Sequence, residues 1–381
     1  MIIVNQKKIL FITGTRADYG KMKSLMKALD SNESFEVFVF VCGMHLSETF
    51  GSTYTEVQKD KYKNIYVAFG IPQTQNASIN LGNTIECLTG YVENVKPDLI
   101  VVHGDRMDAL AGAVVGALHN ILVAHIEGGE LSGTIDESIR HAISKFAQVH
   151  FACTEEAKKR LIQLGEDRDR IFVIGSPDID IMMSNKLPSL KKAKQRYDID
   201  FSEYGILMYH PVTTEYHDIG KHCKAVVDAA IKSEKQFIVV YPNNDLGSEV
   251  ILNEYKRFEN NNNFKLYPSL RFEYFLTLLK NAKFIIGNSS AGIRESGIYG
   301  IPAIDIGTRQ NGRYTIGENS NIQHVSENVE QILLALNNID RYKKSSYEFG
   351  DGNSTEQFIK IVETRKFWDI NIQKNFVDYN I

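Results

Sequence analysis

An α/β fold in two domains, each a parallel sheet covered by helices, is what this sequence predicts, and three observations predict it. Short apolar runs recur along the whole chain, stretches of helix length separate them, and 381 residues exceed what one hydrophobic core ordinarily holds. The runs are KILFIT, EVFVFV, DLIVVH, ILVAHI and IFVI in the first half, then YGILMYH, QFIVVY, KFIIG and PAIDI in the second. None alternates strictly between apolar and polar residues, as expected of strands buried on both faces of a parallel sheet. Between them, Lys21–Leu29 and Ala109–Leu118 have the periodicity of amphipathic helices.

The chain turns polar and lysine-rich over NKLPSLKKAKQRYDIDFSEY, with Pro188 as punctuation, and a new first strand begins at Gly205. This places an N-terminal domain at residues 1–180, a second domain at 200–353 and a terminal segment at 354–381. In that last segment Ser354 and Gln357 have capping-box spacing, ahead of Phe358, Ile361 and Val362 on one helical face.

Composition narrows the function classes. A formal charge of -4, with 43% apolar and 24% charged residues, describes an ordinary globular protein without the positive surplus that attracts nucleic acid or anionic lipid. Cys42, Cys87, Cys153 and Cys223 form no short-spaced pair and lie near apolar stretches, which predicts buried free thiols, a reducing cytoplasm and no cysteine metal site. The apolar run in MIIVNQKKILFITGT is too short to span a bilayer and leads into a strand pattern, so no signal peptide or membrane anchor is expected.

Ligands bind outside the carboxyl ends of parallel strands, and here those ends are strongly polar. Gly14-Thr15-Arg16-Ala17-Asp18-Tyr19-Gly20-Lys21 follows the first run. It has five residues between its glycines, and Met22 stands where a phosphate loop needs Ser or Thr for magnesium, which argues against an ATPase. What remains is a turn with Arg16 and Lys21 beside a helix N-terminus, where free backbone N–H groups favour anions; an ordinary turn with two solvated cations fits the motif equally well. In GNSSAGIRESG, Ser289 and Ser290 can cap the next helix while facing a diphosphate, and Glu295 follows about a turn later where it can accept from ribose hydroxyls. Plain N-capping is the bland reading of the same serines.

The richest segment is HIEGGELSGTIDESIRHAISK, with Glu127, Glu130, Asp136, Glu137, Arg140 and His141. Thr134 and Glu137 have capping-box spacing, so Glu137 can be purely structural. Asp136 falls in a first helical turn with Arg140 four residues on, which suits an ionised base. Glu127, at a strand end beside two glycines, is the better candidate for a tuned proton. His125-Ile-Glu127 imitates the start of a zinc deaminase motif, but no Pro-Cys-x-x-Cys follows. His210, His217 and His222 share no helical face and read as one site histidine and two surface ones rather than metal ligands.

Taken together, GTRADYG, GMHL, VHGDR, HIEGGELSGTIDESIRHAISK, GSPDID, HPVTTE, YPNND, GNSSAGIRE and GTRQNGR resemble the hydrolysing UDP-N-acetylglucosamine 2-epimerases of bacterial sialic acid biosynthesis, in order and nearly end to end. The resemblance implies two Rossmann-like domains with parallel sheets facing a cleft (GT-B-like), the C-terminal helix packing back toward the first. It implies conversion of UDP-N-acetylglucosamine and water to N-acetylmannosamine and UDP through 2-acetamidoglucal, without a metal or other cofactor, in a cytoplasmic homodimer. Asp105, Glu127 and Asp136 match the family's acid and base groups, with His210 near the departing phosphate. Ser289 and Ser290 would hold the diphosphate, Glu295 the ribose, and the stretch from Ser269 to Phe275, with Leu270, Arg271 and Phe275, the uracil. Arg16, Arg106 and Arg313 would add positive charge, and Lys21, His45 and Arg140 are further binding residues by the same likeness.

The related non-hydrolysing enzymes usually carry GTRPE where this chain has Gly14-Thr15-Arg16-Ala17-Asp18, which favours release of free sugar. A hydrolysing epimerase acting on a GDP-linked or modified amino sugar, as in legionaminic acid pathways, is the runner-up, followed by the non-hydrolysing reaction. A glycosyltransferase of the same architecture is disfavoured because three cleft carboxylates exceed its needs, and a non-catalytic nucleotide-sugar sensor because sensing needs no strand-end carboxylates in addition to phosphate contacts.

Overall fold

The computed structural model describes residues 6–71, 74, 76–314 and 320–378; the extreme N-terminus read above as carrying no leader lies partly outside them. The chain forms two compact units. The first comprises Met1–Glu130, Asp136–Ser184 and Phe349–Ile381, and the second Leu131–Ile135 and Asn185–Glu348.

The first unit is built on seven strands: β1 (Lys7–Thr13), β2 (Phe35–Val41), β3 (Asn64–Val67), β4 (Leu99–His103), β5 (Leu122–Ile126), β6 (Val149–Ala152) and β7 (Ile171–Val173). They pair in the order β3-β2-β1-β4-β5-β6-β7, every pair parallel. The order reverses beside β1, so the loops after β1 and β4 diverge there, at the kind of switch point where such sheets bind ligands. Both faces are buried. Phe11, Val101 and Phe151 point to one core, while Leu10, Phe40 and Val102 point to the other.

The terminal segment supplies part of the first core. Phe358, Val362 and Phe367 are buried in it, and the Phe358 ring lies 4.7 Å from that of Phe151. Its helix Ser354–Val362 is not closed by a Ser354–Gln357 capping box as the spacing predicted. Asn353 occupies the cap position without a side-chain cap bond. The carboxylate of Asp180, on the helix Pro177–Met183 of the same unit, instead accepts from Ser354 N–H at 2.9 Å and Thr355 N–H at 2.6 Å. An anion from a neighbouring helix does the work of a local cap because it meets both free N–H groups and the helix dipole. Asp180→Ala is therefore expected to cost about 1–2 kcal/mol and to raise proteolytic nicking ahead of Ser354; urea unfolding and limited proteolysis read both, and unchanged values in both would deny the cap its importance.

The second unit has six parallel strands, β8 (Gly205–Met208), β9 (Phe237–Val240), β10 (Phe264–Tyr267), β11 (Phe284–Gly287), β12 (Ala303–Ile306) and β13 (Ile322–Val325), in the order β10-β9-β8-β11-β12-β13. Its main core gathers Leu207, Val239, Ile286 and Ile304 with Cys223, Val227, Tyr255 and Leu336 from the covering helices. The four cysteines are free, with Cys42, Cys153 and Cys223 buried and Cys87 partly exposed. Among the described residues no helix is long and apolar enough to cross a membrane.

Candidate active site

In the first unit the sequence-predicted residues gather at the carboxyl ends of β1, β4 and β5. Thr15 caps the helix Arg16–Asp30 in a full capping box with Asp18. The Asp18 carboxylate also accepts from Gly14 N–H at 2.9 Å and Thr15 N–H at 2.8 Å. The protein's own carboxylate thus engages the N–H groups of Gly14 and Thr15, just ahead of the helix. Lys21 turns to Glu127, its Nζ 3.0 Å from Oε1, with both side chains more than nine-tenths buried. Such a pair persists in low dielectric only as mutual charge compensation. His103 Nε2 lies 3.6 Å from the same carboxylate oxygen.

Glu127 itself has φ +68, a left-handed conformation that non-glycine residues rarely adopt and that collects at functional sites. Next to it, Arg140 is 1% exposed and bonds the carboxylate of Asp105. Its NH1 also reaches the carbonyl of Glu130 at 3.3 Å. Burial opposes the guanidinium charge, but Asp105, then Glu130, Glu127 and Asp136, raise its pKa above the ordinary arginine value. The four carboxylates thus share one buried cation. The spacing had paired Arg140 with Asp136, while its closest bond runs 35 residues back to Asp105.

Arg106 caps the helix Met107–Leu118 without a side-chain cap bond, and its NH2 lies 3.7 Å from Met44 Sδ. His45 is fully buried, its Nε2 3.0 Å from Thr13 Oγ1 and its Nδ1 2.6 Å from Thr53 Oγ1, so its ring is part of the scaffold under the β1 loop. Asp108 escaped the sequence reading. It is 9% exposed beside Cys42, whose thiol donates to it at 3.4 Å. Burial, with Asp18 nearby and against the pull of Arg106, pushes its carboxyl above the usual range.

In the second unit His210 follows β8 and is clamped by Asn288, the residue after β11. His210 N–H donates to Asn288 Oδ1 at 2.6 Å, and its carbonyl accepts from Asn288 Nδ2 at 2.9 Å. His210 Nδ1 accepts from Asn243 N–H at 3.0 Å, which places the proton of the neutral ring on Nε2. Asn288 had no role in the sequence reading, yet its pair of hydrogen bonds ties together the ends of two adjacent strands. Ser289 caps a single 3-10 turn, Ser290–Gly292, and accepts from Ala291 N–H at 3.3 Å. Glu295 is 4% exposed and opens a short helix, Glu295–Ile298, which follows that turn after Ile293 and Arg294.

Leu270 and Phe275 are buried, and Arg271 between them donates its N–H to Tyr197 Oη at 2.8 Å while its Nε lies 3.3 Å from Glu273. Arg313 donates to the carbonyl of Leu131 at 2.7 Å and to Gln310 Oε1 at 3.0 Å. Within this unit Gly133 N–H also bonds the Arg309 carbonyl, so residues 131–135 of the carboxylate-rich segment belong to the second unit.

Two groups could offer metal-ligand atoms among the described residues: Glu127, Glu130 and Cys153, and Glu215, His222 and Glu327. The first already contains the Lys21 ammonium at 3.0 Å. In the second, His222 Nδ1 stands 3.6 Å from Glu215 and 3.8 Å from Glu327, so it is a carboxylate partner rather than the plain surface histidine expected, whereas His217 is exposed.

Buried histidines make the first unit acid-sensitive. Burial, helped by Arg16 and opposed by Asp18, pulls His45 from 6.5 down to about 4, and burial pulls His125 down to about 3. Both folded values lie below the unfolded one, so the unfolded chain binds more protons from pH 6.5 downward and stability falls as pH falls through that window. Glu166, which burial pushes up but His150, Lys374 and Lys145 hold at about 2, contributes stability above its unfolded 4.5 and loses it only below that. Between pH 7.5 and pH 5 the loss is expected to be about 4 kcal/mol for the two histidines together, read as a lower urea midpoint at unchanged slope. An equal midpoint at both pH values would contradict the neutral-histidine assignment.

Basic and hydroxyl groups thus stand at the strand ends of one parallel sheet, and ion-paired carboxylates at those of the other. The sequence profile of UDP-N-acetylglucosamine 2-epimerase matches residues 27–363, and the chain belongs to that family. It is 43% identical over 377 residues to the UDP-N-acetylglucosamine 2-epimerase of Neisseria meningitidis serogroup B, covering 98% of this chain and 100% of that one. It is 33% identical over 364 residues to the hydrolysing UDP-N,N'-diacetylbacillosamine 2-epimerase of Legionella pneumophila, covering 94% and 96%. A crystal structure of a UDP-GlcNAc 2-epimerase from Neisseria meningitidis bound to UDP-GlcNAc superposes with a TM-score of 0.78 at 21% identity, over 93% of this chain and 99% of that chain, and shows the shared GT-B-like fold class.

Proposed function

We propose that the protein is a hydrolysing 2-epimerase that converts UDP-N-acetylglucosamine and water to N-acetylmannosamine and UDP, the sugar then entering sialic acid synthesis. The observation that carries the reading is the ion-paired carboxylate set of the first unit: Glu127 against Lys21 and Asp105 against Arg140, at the ends of adjacent strands. A sugar C2–H is a weak acid, and its removal needs a positioned carboxylate. One of Asp105, Glu127 and Asp136 takes the C2 proton as the C1–O bond to UDP breaks, leaving 2-acetamidoglucal. Water then adds its oxygen at C1, and a proton returns to C2 on the opposite face.

The second unit supplies the nucleotide partners in this reading. Ser289, Ser290 and the Nε2–H of His210 donate to the diphosphate as it gains charge, Arg313 balances it, Glu295 accepts from the ribose, and Leu270, Arg271 and Phe275 receive the uracil. Free sugar as product is favoured by Gly14-Thr15-Arg16-Ala17-Asp18 in place of GTRPE and by the hydrolysing relative. That relative's name also keeps a modified amino sugar as the second reading.

The deciding experiment is incubation with UDP-N-acetylglucosamine in deuterated water, followed by NMR. N-acetylmannosamine deuterated at C2, released with UDP, is the expected product. A UDP-linked mannosamine would replace the hydrolysing reading by the non-hydrolysing one, and unchanged substrate would move the specificity to a GDP-linked or modified sugar, tested next. A cytoplasmic homodimer belongs to the same reading and is checked by sedimentation velocity and cell fractionation.

A further inference from the structure

His125 has no part in the chemistry proposed above, and its surroundings supply one. It lies on β5 two residues before Glu127 and is completely buried. Its Nε2 stands 2.8 Å from the carbonyl oxygen of Gly104, and its Nδ1 stands 3.0 Å from Ser144 Oγ. A carbonyl only accepts, so Nε2 bears the proton and Nδ1 receives the serine hydroxyl. Burial keeps the ring neutral across the working range, its pKa drawn down to about 3, so this one tautomer persists.

Both partners lead to Asp105. Gly104 immediately precedes it and has φ +75, a conformation in which its peptide is not fixed by ordinary side-chain sterics. Ser144 lies four residues after Arg140 on the helix Ile135–Phe146, on the same face, and Arg140 bonds the Asp105 carboxylate. The contacts close a ring: Gly104 carbonyl to His125, His125 to Ser144, along one helical turn to Arg140, from Arg140 to Asp105, and through one peptide bond back to Gly104.

We propose that His125 is a positioning residue that fixes the Asp105 carboxylate by tying down both the peptide before it and the helix that carries its cation. The inference rests on the reading of Asp105 as a proton-handling group. A displacement of about 1 Å in such a group costs about 10²-fold in rate, and a site on a turn needs supporting bonds of this kind.

Three variants test it. His125→Phe keeps a flat ring but removes donor and acceptor, His125→Gln keeps an N–H that can reach the Gly104 carbonyl, and Ser144→Ala removes only the second tie. With UDP-N-acetylglucosamine, His125→Phe is expected to lower kcat by about 10–100-fold with KM and UDP affinity changed less than about threefold; His125→Gln should recover at least about tenfold of that loss, and Ser144→Ala should fall between. On the residual turnover of Asp105→Asn, adding His125→Phe is expected to cost nothing further. Amide hydrogen exchange, which needs no substrate, should rise at Gly104, whose N–H bonds the Ile126 carbonyl at 3.0 Å, in His125→Phe but not in His125→Gln.

Equal kcat for the Phe and Gln variants, full additivity with Asp105→Asn, or unchanged exchange at Gly104 would overturn the proposal. If the wild type turns over no nucleotide amino sugar, the functional reading fails and the exchange comparison alone decides whether His125 positions this loop.

Discussion

Glu127→Gln is expected to lower turnover of UDP-N-acetylglucosamine by about 10²–10⁴-fold while UDP binds with nearly unchanged affinity. The substitution is close to isosteric, so the backbone at φ +68 and the packing of a side chain that is 6% exposed are retained. What disappears is the ability to accept and return a proton. Lys21 Nζ, now 3.0 Å from a carboxylate oxygen, would face an amide oxygen that hydrogen-bonds it but does not balance its charge. Some loss of stability accompanies this, and a melting curve separates it from the chemical loss. UDP affinity is the control because its proposed partners, Ser289, Ser290, Glu295 and His210, all belong to the second unit. Near-normal turnover would remove Glu127 from the chemistry, and the same outcome for Asp105→Asn would remove the paired carboxylates altogether.

Gly287→Ala is expected to unfold the second unit or to destabilise it by more than about 4 kcal/mol. Gly287 ends β11 at φ +131, a region that L side chains rarely enter, and it pairs in register with Met208 of β8. A methyl group there would lie 1.9 Å from the Met208 carbonyl oxygen and 2.5 Å from its carbon. Those atoms are backbone in a central strand, so no rotamer change relieves the clash and the two strands must part. Asn288 and His210 lie one and two residues beyond the paired positions, so their mutual clamp and UDP binding should fail together. Circular dichroism during urea unfolding and a UDP titration read the two effects. Gly70→Ala is the matched control, since a methyl there meets nothing within 4 Å and should be silent. A Gly287→Ala protein with the parental midpoint would refute the clash.

The ring through Asp105, Arg140 and His125 shows where reading the chain stops. Arg140 and Asp136 were legible as neighbours because four residues make one helical turn. The bond from Arg140 to Asp105 was not, because it depends on β4 and β5 lying side by side. The same holds for Asp180, which caps a helix 174 residues away, and for Asp18, whose local spacing was visible but whose occupation of the Gly14 and Thr15 N–H groups was not. Nine strands were visible as apolar runs. Of those that were not, β3, β10 and β13 are edge strands with partly exposed residues, and β6, though wholly buried, has its apolar run interrupted by His150.

By itself the sequence determined the fold class, the strand ends on which polar groups cluster, and the family, since these follow from local apolar patterning and from motifs kept in order along the chain. Only the tertiary structure decided which carboxylate meets which cation, which helix terminus is already filled, and which histidine is locked in one tautomer. Those outcomes depend on distances between residues tens of positions apart and on the loss of water around them, and burial is what turns an acidic or basic side chain into a partner with a defined charge and place.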